Sequence, residues 1–99
     1  MKFLLIARPR PIPGMTSALL EATRDRARSQ IKSGVLDCYY TFAGGNGSCA
    51  IVNADSPEAL QEIVMENPTF PFLETESYAL ADGDKFLTKM TEVMKKSGL

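Results

Sequence analysis

Histidine and tryptophan are absent from this 99-residue chain, and cysteine occurs only twice, as Cys38 and Cys49. Without histidine, two thiols cannot complete the tetrahedral ligand set of a zinc site, so no metal is expected. The plain reading of the cysteines is free thiols behaving as small hydrophobes; a disulfide or a reactive thiol is the alternative. An excess of charge of one sign is also missing. The formal net charge is -1 and the basic residues lie among acidic ones, so no field gathers nucleic acid. No long apolar run occurs either: Phe3-Leu4-Leu5-Ile6-Ala7 is too short for a signal segment or a membrane span, and reads as a strand of a cytoplasmic protein. The glycine cluster at Ala43-Gly44-Gly45-Asn46-Gly47 lacks the Gly-Lys-Ser/Thr step and the following helix of a phosphate-binding loop, which leaves a hairpin turn. No internal repeat or linker interrupts the chain, so residues 1–99 are read as one domain.

What is present is a clear succession of periodicities. Lys2 to Arg8 is an aliphatic strand, stopped by Pro9, Pro11 and Pro13, which permit neither a helix interior nor a central strand. Met15, Leu19, Leu20, Ala27 and Ile31 recur at helical spacing from about Thr16 to Ser33, and Gly34 supplies a left-handed stop. Val35 to Phe42 alternates and is rich in aromatic residues, and the turn cluster after it leads into a second strand, Ser48 to Ala54, which makes a hairpin. Asp55-Ser56-Pro57-Glu58 combines a cap, proline at the first helical position and an early carboxylate, and the helix it opens ends before Asn67-Pro68. Phe70-Pro71-Phe72 leads into a strand through about Leu80, and Asp84 to about Lys96 forms a last helix with Phe86, Leu87, Met90, Val93 and Met94 on one side. The order β-α-β-β-α-β predicts an α+β, ferredoxin-like fold: a four-stranded antiparallel sheet with both connecting helices on one face and an extra C-terminal helix.

Strand parity then assigns faces. Leu36, Cys38, Tyr40 and Phe42, the more apolar set of the second strand, are expected toward the helices, and Val35, Asp37, Tyr39 and Thr41 away from them. On the last strand the small set Leu73, Thr75, Ser77 and Ala79 alternates with Phe72, Glu74, Glu76, Tyr78 and Leu80. With Leu4 and Ile6, that second set makes a far face too apolar for plain exposure and too charged for a dry core. A second sheet across a two-fold axis, giving a homodimer or a larger assembly, is the expected cover.

Ser56-Pro57-Glu58-Ala59-Leu60, followed by Asn67-Pro68-Thr69-Phe70-Pro71-Phe72-Leu73-Glu74-Thr75-Glu76, resembles the corresponding part of the muconolactone isomerase family. Phe70-Pro71-Phe72 is the most telling match, and the opening Met1-Lys2-Phe3-Leu4-Leu5-Ile6 and the Ser33-Gly34 step also fit. The resemblance, over about Met1 to Leu80, implies a dimeric α/β barrel with a cofactor-free pocket. In it, a small lactone has its double bond moved by proton abstraction and return. This chain departs from the family in lacking its usual histidines, in Asp37-Cys38-Tyr39-Tyr40 on the second strand, in the proline run and in the distinct last helix. These departures point to another small oxygenated ring compound rather than to muconolactone.

Shifting a double bond beside a carbonyl needs a base, a donor for the developing oxyanion and exclusion of water. Glu74, Glu76 and Asp37 are the available bases, and Tyr39, Tyr78 and Arg8 the donors. Glu74 ranks first because it is nearest the Phe70-Pro71-Phe72 turn; its spacing from Glu76 puts the two on one strand face, where enclosure raises the affinity of one for a proton. The expected catalytic set is therefore Glu74, Asp37 and Tyr39, with Arg8, Phe70, Phe72, Glu76 and Tyr78 holding the substrate. Against this stand simpler readings: strand carboxylates facing water or an arginine such as Arg8 or Arg10, and tyrosines that only pack. Two other functions remain open on the same fold, a non-catalytic small-molecule-binding or assembly module and a cofactor-free monooxygenase.

Overall fold

The computed structural model describes residues 1–99. Its elements follow in the order β1 (Lys2–Pro9), α1 (Ser17–Ser33), β2 (Leu36–Thr41), β3 (Ser48–Asn53), α2 (Pro57–Met65), a 3-10 turn (Phe70–Phe72), β4 (Leu73–Leu80) and α3 (Gly83–Lys96). The four strands form one antiparallel sheet in the order β2-β3-β1-β4, which is the ferredoxin-like arrangement with one helix added after it. Local chemistry explains the boundaries. The Thr16 side chain accepts a hydrogen bond from the Leu19 amide at 3.2 Å, and Gly34, at φ 86, ends α1 in the left-handed region. Ser56 accepts from the Ala59 amide at 3.1 Å with Pro57 beside it, and Asp82 accepts from the Lys85 amide at 3.0 Å.

β1 is an inner strand, so its alternation serves two faces. Phe3 stands opposite Val52 and Ala79, and Leu5 opposite Ala50 and Ser77, under the helices. Phe3, Leu36, Ala50, Val52, Ala54 and Leu60 form the core, flanked by Leu5, Ala27, Val35, Ala59, Ile63 and Val64. That core is thin: 8 of 99 residues are buried, and neither α1 nor α3 contributes one. The only buried polar residue, Thr69, donates its amide and hydroxyl to the Asn67 side chain at 2.9 and 2.8 Å, which fixes the turn ahead of β4.

The parity of β2 differs from the sequence expectation beyond Asp37. Leu36 pairs with Val52, but Cys38 pairs with Ile51, so one extra residue is accommodated between them. Everything downstream changes face. Tyr39, opposite Ala50, and Thr41, opposite Ser48, lie on the helix side; Cys38 and Tyr40 join Ile51 and Cys49 on the far side. Asp37 itself keeps to the far side, bonded to Asn53 and Lys2. The physical reason is that two donors, Lys2 and Asn53, converge on Asp37 and hold the bulged residue, Asn53 being fixed in turn by its bond to the Gly34 carbonyl.

The hairpin between β2 and β3 closes against β1. The Phe42 amide donates to the Gly47 carbonyl at 2.8 Å; a Cβ at Gly47, whose φ is +148, would lie 2.6 Å from the Ala7 carbonyl oxygen and 3.2 Å from the Phe42 ring. Gly44 has no such neighbour, its nearest being the Asn46 side chain at 3.9 Å. Gly47→Ala should therefore lower stability by more than about 1 kcal/mol, read as a lower urea midpoint. Gly44→Ala should stay within about 0.5 kcal/mol. Equal midpoints for the two variants would contradict the packing of the turn on β1.

Candidate functional site

The far face of the sheet carries three zones set by the ladder. At the end where β1 begins, Lys2 donates to the side chains of Asp37 and Asn53, the latter at 2.9 Å, and Asn53 in turn donates to Asp37 at 2.7 Å and to the Gly34 carbonyl at 2.9 Å. In the middle stand Leu4, Ile6, Ile51 and Tyr78. At the other end, Arg8 is opposite Glu74 and Ile6 is opposite Glu76. Six residue steps along β1 take Lys2 to Arg8, or about 20 Å at 3.3 Å each.

The Arg8 end is the more open to chemistry. Although Arg8 faces Glu74 in register, the two form no ion pair; the guanidinium lies over the Phe42 ring, 5.3 Å from its centroid. A cation held on an aromatic face keeps its hydrogen-bond donors for another partner. Glu74 is likewise exposed and unpaired. Glu76 accepts from the Tyr78 hydroxyl at 2.7 Å, and this bond, with the charge of Glu76, pushes the Tyr78 hydroxyl above its usual value of 10.0, so it remains a donor. A shallow cavity of about 200 Å³ joins Ile6, Arg8, Glu74, Thr75 and Glu76.

Several expected site residues are not brought to this cavity. Tyr39 lies on the helix side beside Leu20, Ala27 and Ile31 of α1, moved there by the bulge at Asp37. Phe70 lines a groove between α2 and β4 on the helix side, because the 3-10 turn carries it beneath α2. Phe72 packs by Gly14, and its carbonyl accepts from the Arg10 amide at 2.8 Å, so it ties down the proline run. Asp37 is on the far face but at the opposite end, engaged by Lys2 and Asn53. Those bonds hold its carboxyl below the usual value of 3.8, the Lys2 bond counting most, so it makes a poor base. Phe42 was the residue the sequence reading did not credit; the only signal for it was Arg8 on a neighbouring strand with an aromatic just past the end of β2.

A model of the muconolactone delta-isomerase family matches residues 6–84. The chain belongs to the muconolactone delta-isomerase family. Its match runs from Ile6 through all of β2, β3 and β4 and stops at the start of α3, so most of α3 lies outside the family segment. Among solved structures, a muconolactone isomerase crystal structure superposes with a TM-score of 0.73 at 21% identity, over 83% of this chain and 90% of that one. The 5-chloro-2-hydroxyhydroquinone dehydrochlorinase of Burkholderia phenoliruptrix AC1100, in complex with 2,5-dihydroxybenzoquinone, gives 0.61 at 17% identity, over 86% and 98%. At these identities the likeness is one of fold. No curated protein matches the chain. No helix is long and apolar enough to cross a membrane.

The Asp37 network has a signature in acid. Because the carboxyl of folded Asp37 sits below its unfolded value, its ionised form favours the fold above about pH 4, and that contribution drains away as pH falls through the lowered value. Asp37→Asn should therefore flatten the decline of Tm below pH 4 relative to the parent chain. Parallel Tm curves for the two proteins between pH 5 and pH 2 would show that Asp37 is not so engaged.

Proposed function

We propose that the chain is a cofactor-independent isomerase or cyclase that moves a proton on a small, oxygenated ring compound. The observation that carries this reading is the pairing in register, without an ion pair, of Arg8 and Glu74. A free carboxylate and a free guanidinium across one strand gap can act on one molecule from two sides. Glu74 removes a proton from the carbon next to the ring carbonyl. The C–H electron pair moves into the ring and the carbonyl oxygen takes the charge, which Arg8 holds. Protonated Glu74, whose proton can exchange with solvent, returns a proton to the far carbon of the conjugated system, leaving the double bond displaced with no net change in atoms or electrons. Tyr78, kept protonated beside Glu76, orients a second ring oxygen.

The cavity of one chain is too open to keep water from an enolate, which supports closure by a second copy whose far face meets this one. Family membership supports the isomerase reading, and a structurally similar dehydrochlorinase in complex with a dihydroxybenzoquinone supports a hydroxylated or oxo ring as the ligand class. The lack of histidine favours a second reading, a binding module that has kept the fold without turnover.

Screened against ring lactones, beginning with muconolactone, and hydroxylated quinones, the protein should catalyse exchange of a ring-adjacent proton with deuterated water. Glu74→Gln should reduce kcat at least a hundredfold with binding held within about tenfold, and Arg8→Met should lower kcat/KM by about tenfold to a thousandfold. Full turnover by Glu74→Gln would remove Glu74 as the base. Binding without exchange would identify the module, and oxygen uptake a monooxygenase. Light scattering should give at least two chains per particle; a mass of one chain would refute closure by a copy.

A further inference from the structure

One row of residues crosses the whole sheet at the open end of the far face. Arg8 of β1 stands opposite Glu74 of β4. On the other side of Arg8 comes Gly47, the residue before Ser48, which is itself the partner of Ala7. The Phe42 amide donates to the Gly47 carbonyl at 2.8 Å, which brings Phe42 into the same row. The order across the sheet is therefore Phe42, Gly47, Arg8, Glu74. Two strand gaps, about 10 Å, lie between the backbones at Phe42 and Arg8. Even so, the Phe42 ring centroid is only 5.3 Å from Arg8 Cζ. The ring covers that gap because Gly47 has no side chain: a Cβ there would lie 3.2 Å from Cδ2 and Cε2 of the ring and 2.6 Å from the Ala7 carbonyl oxygen. Glycine in this row lets an aromatic side chain lean across the strand between it and its target.

Arg8 has a second partner within reach. Directly opposed residues of antiparallel strands have Cβ atoms about 5 Å apart, and opposite charges so placed attract. An exposed ion pair and an exposed cation on an aromatic face are of similar strength, so the chemistry of the groups alone does not choose between Glu74 and Phe42. The position of the ring decides. The remaining charges at this end do not compete: Arg10 forms no ion pair, and Glu76 is engaged by the Tyr78 hydroxyl at 2.7 Å. With the guanidinium drawn toward Phe42, the cavity of about 200 Å³ that Arg8, Glu74 and Glu76 line stays open.

We propose that Phe42 is a positioning residue: leaning over Gly47, its ring draws Arg8 off Glu74, so that guanidinium and carboxylate stay apart until a ligand enters between them. Without the ring, Arg8 closes on Glu74. That ion pair occupies the base and the oxyanion donor together and fills the space a substrate needs. The kinetic consequences rest on the isomerase reading given above; the placement of Arg8 does not.

The first test needs no ligand. In NMR spectra of the full chain the ring current of Phe42 should move the Arg8 side-chain protons upfield, and Glu74→Gln should leave those signals in place. Phe42→Leu should abolish the upfield shift, and adding Glu74→Gln to it should now move the Arg8 Nε–H signal. Phe42→Tyr should behave as the parent chain. Arg8 signals that answer to Glu74→Gln in the parent chain itself would overturn the proposal, and this comparison stands whether or not Phe42→Leu folds. The second test uses proton exchange with deuterated water. Phe42→Leu should lower kcat about tenfold to a hundredfold and displace the acid limb of the pH profile to lower pH, because Arg8 beside Glu74 favours the ionised carboxylate. Phe42→Tyr should restore both. A fall in kcat with an unmoved pH profile would reduce Phe42 to packing and overturn its positioning role. A parent chain that exchanges no proton while the NMR result is as expected would count against the isomerase reading alone; an exchanging parent whose Arg8 answers to Glu74→Gln would count against Phe42 alone.

Discussion

The alternation of β1, hydrogen-bonded on both sides, is the constraint from which the rest of the molecule follows. Phe3, Leu5 and Ala7 point under the helices, and Lys2, Leu4, Ile6 and Arg8 point the other way, because a strand has a period of two. β3 and β4 inherit those faces through their registers. The core residue Val52 and the cavity residue Glu74 are thus placed by the same eight-residue segment. A slip of one residue in β1 would empty the core and bury Arg8 at once, which makes the register costly to change.

β2 is the one strand that escapes this inheritance, and it does so at Asp37. A residue inserted into an edge strand exchanges the faces of everything after it. Here the exchange moves Phe42 across to Arg8 and Tyr39 away toward α1. The guanidinium therefore finds an aromatic face instead of a carboxylate, and Glu74 is left free. The bulge is held by Lys2 and Asn53, residues of β1 and β3, so the polar network at one end of the sheet sets the composition of the site about 20 Å away at the other.

This also explains which parts were legible in the residue pattern. The helix start at Asp55-Ser56-Pro57-Glu58, the glycine stop at Gly34 and the alternation of β4 are local signals, and the structure keeps each of them, whereas the Asp82 cap that opens α3 was not picked out. The face of Tyr39 was not legible because Leu36-Asp37-Cys38-Tyr39-Tyr40 reads smoothly in either phase; only long-range bonds from Lys2 and Asn53 select the bulged one. The turn at Phe70 was not legible either. A Phe-Pro-Phe segment entering a strand suggests extended backbone, but the buried Thr69 and its bonds to Asn67 turn the chain through a 3-10 step first. In both places side-chain hydrogen bonds decide a backbone step that the residue pattern does not show.

The two faces of the sheet also place different demands on a second copy. On the far face the demand is electrostatic: a carboxylate and a guanidinium at a solvent-exposed surface interact weakly, and the same groups in a closed, low-dielectric space act strongly on a bound anion. On the helix side the demand is hydrophobic, since a thin core leaves α1 without a buried residue and α3 wholly exposed. Such a chain gains more from assembly than one that has already buried its apolar surface.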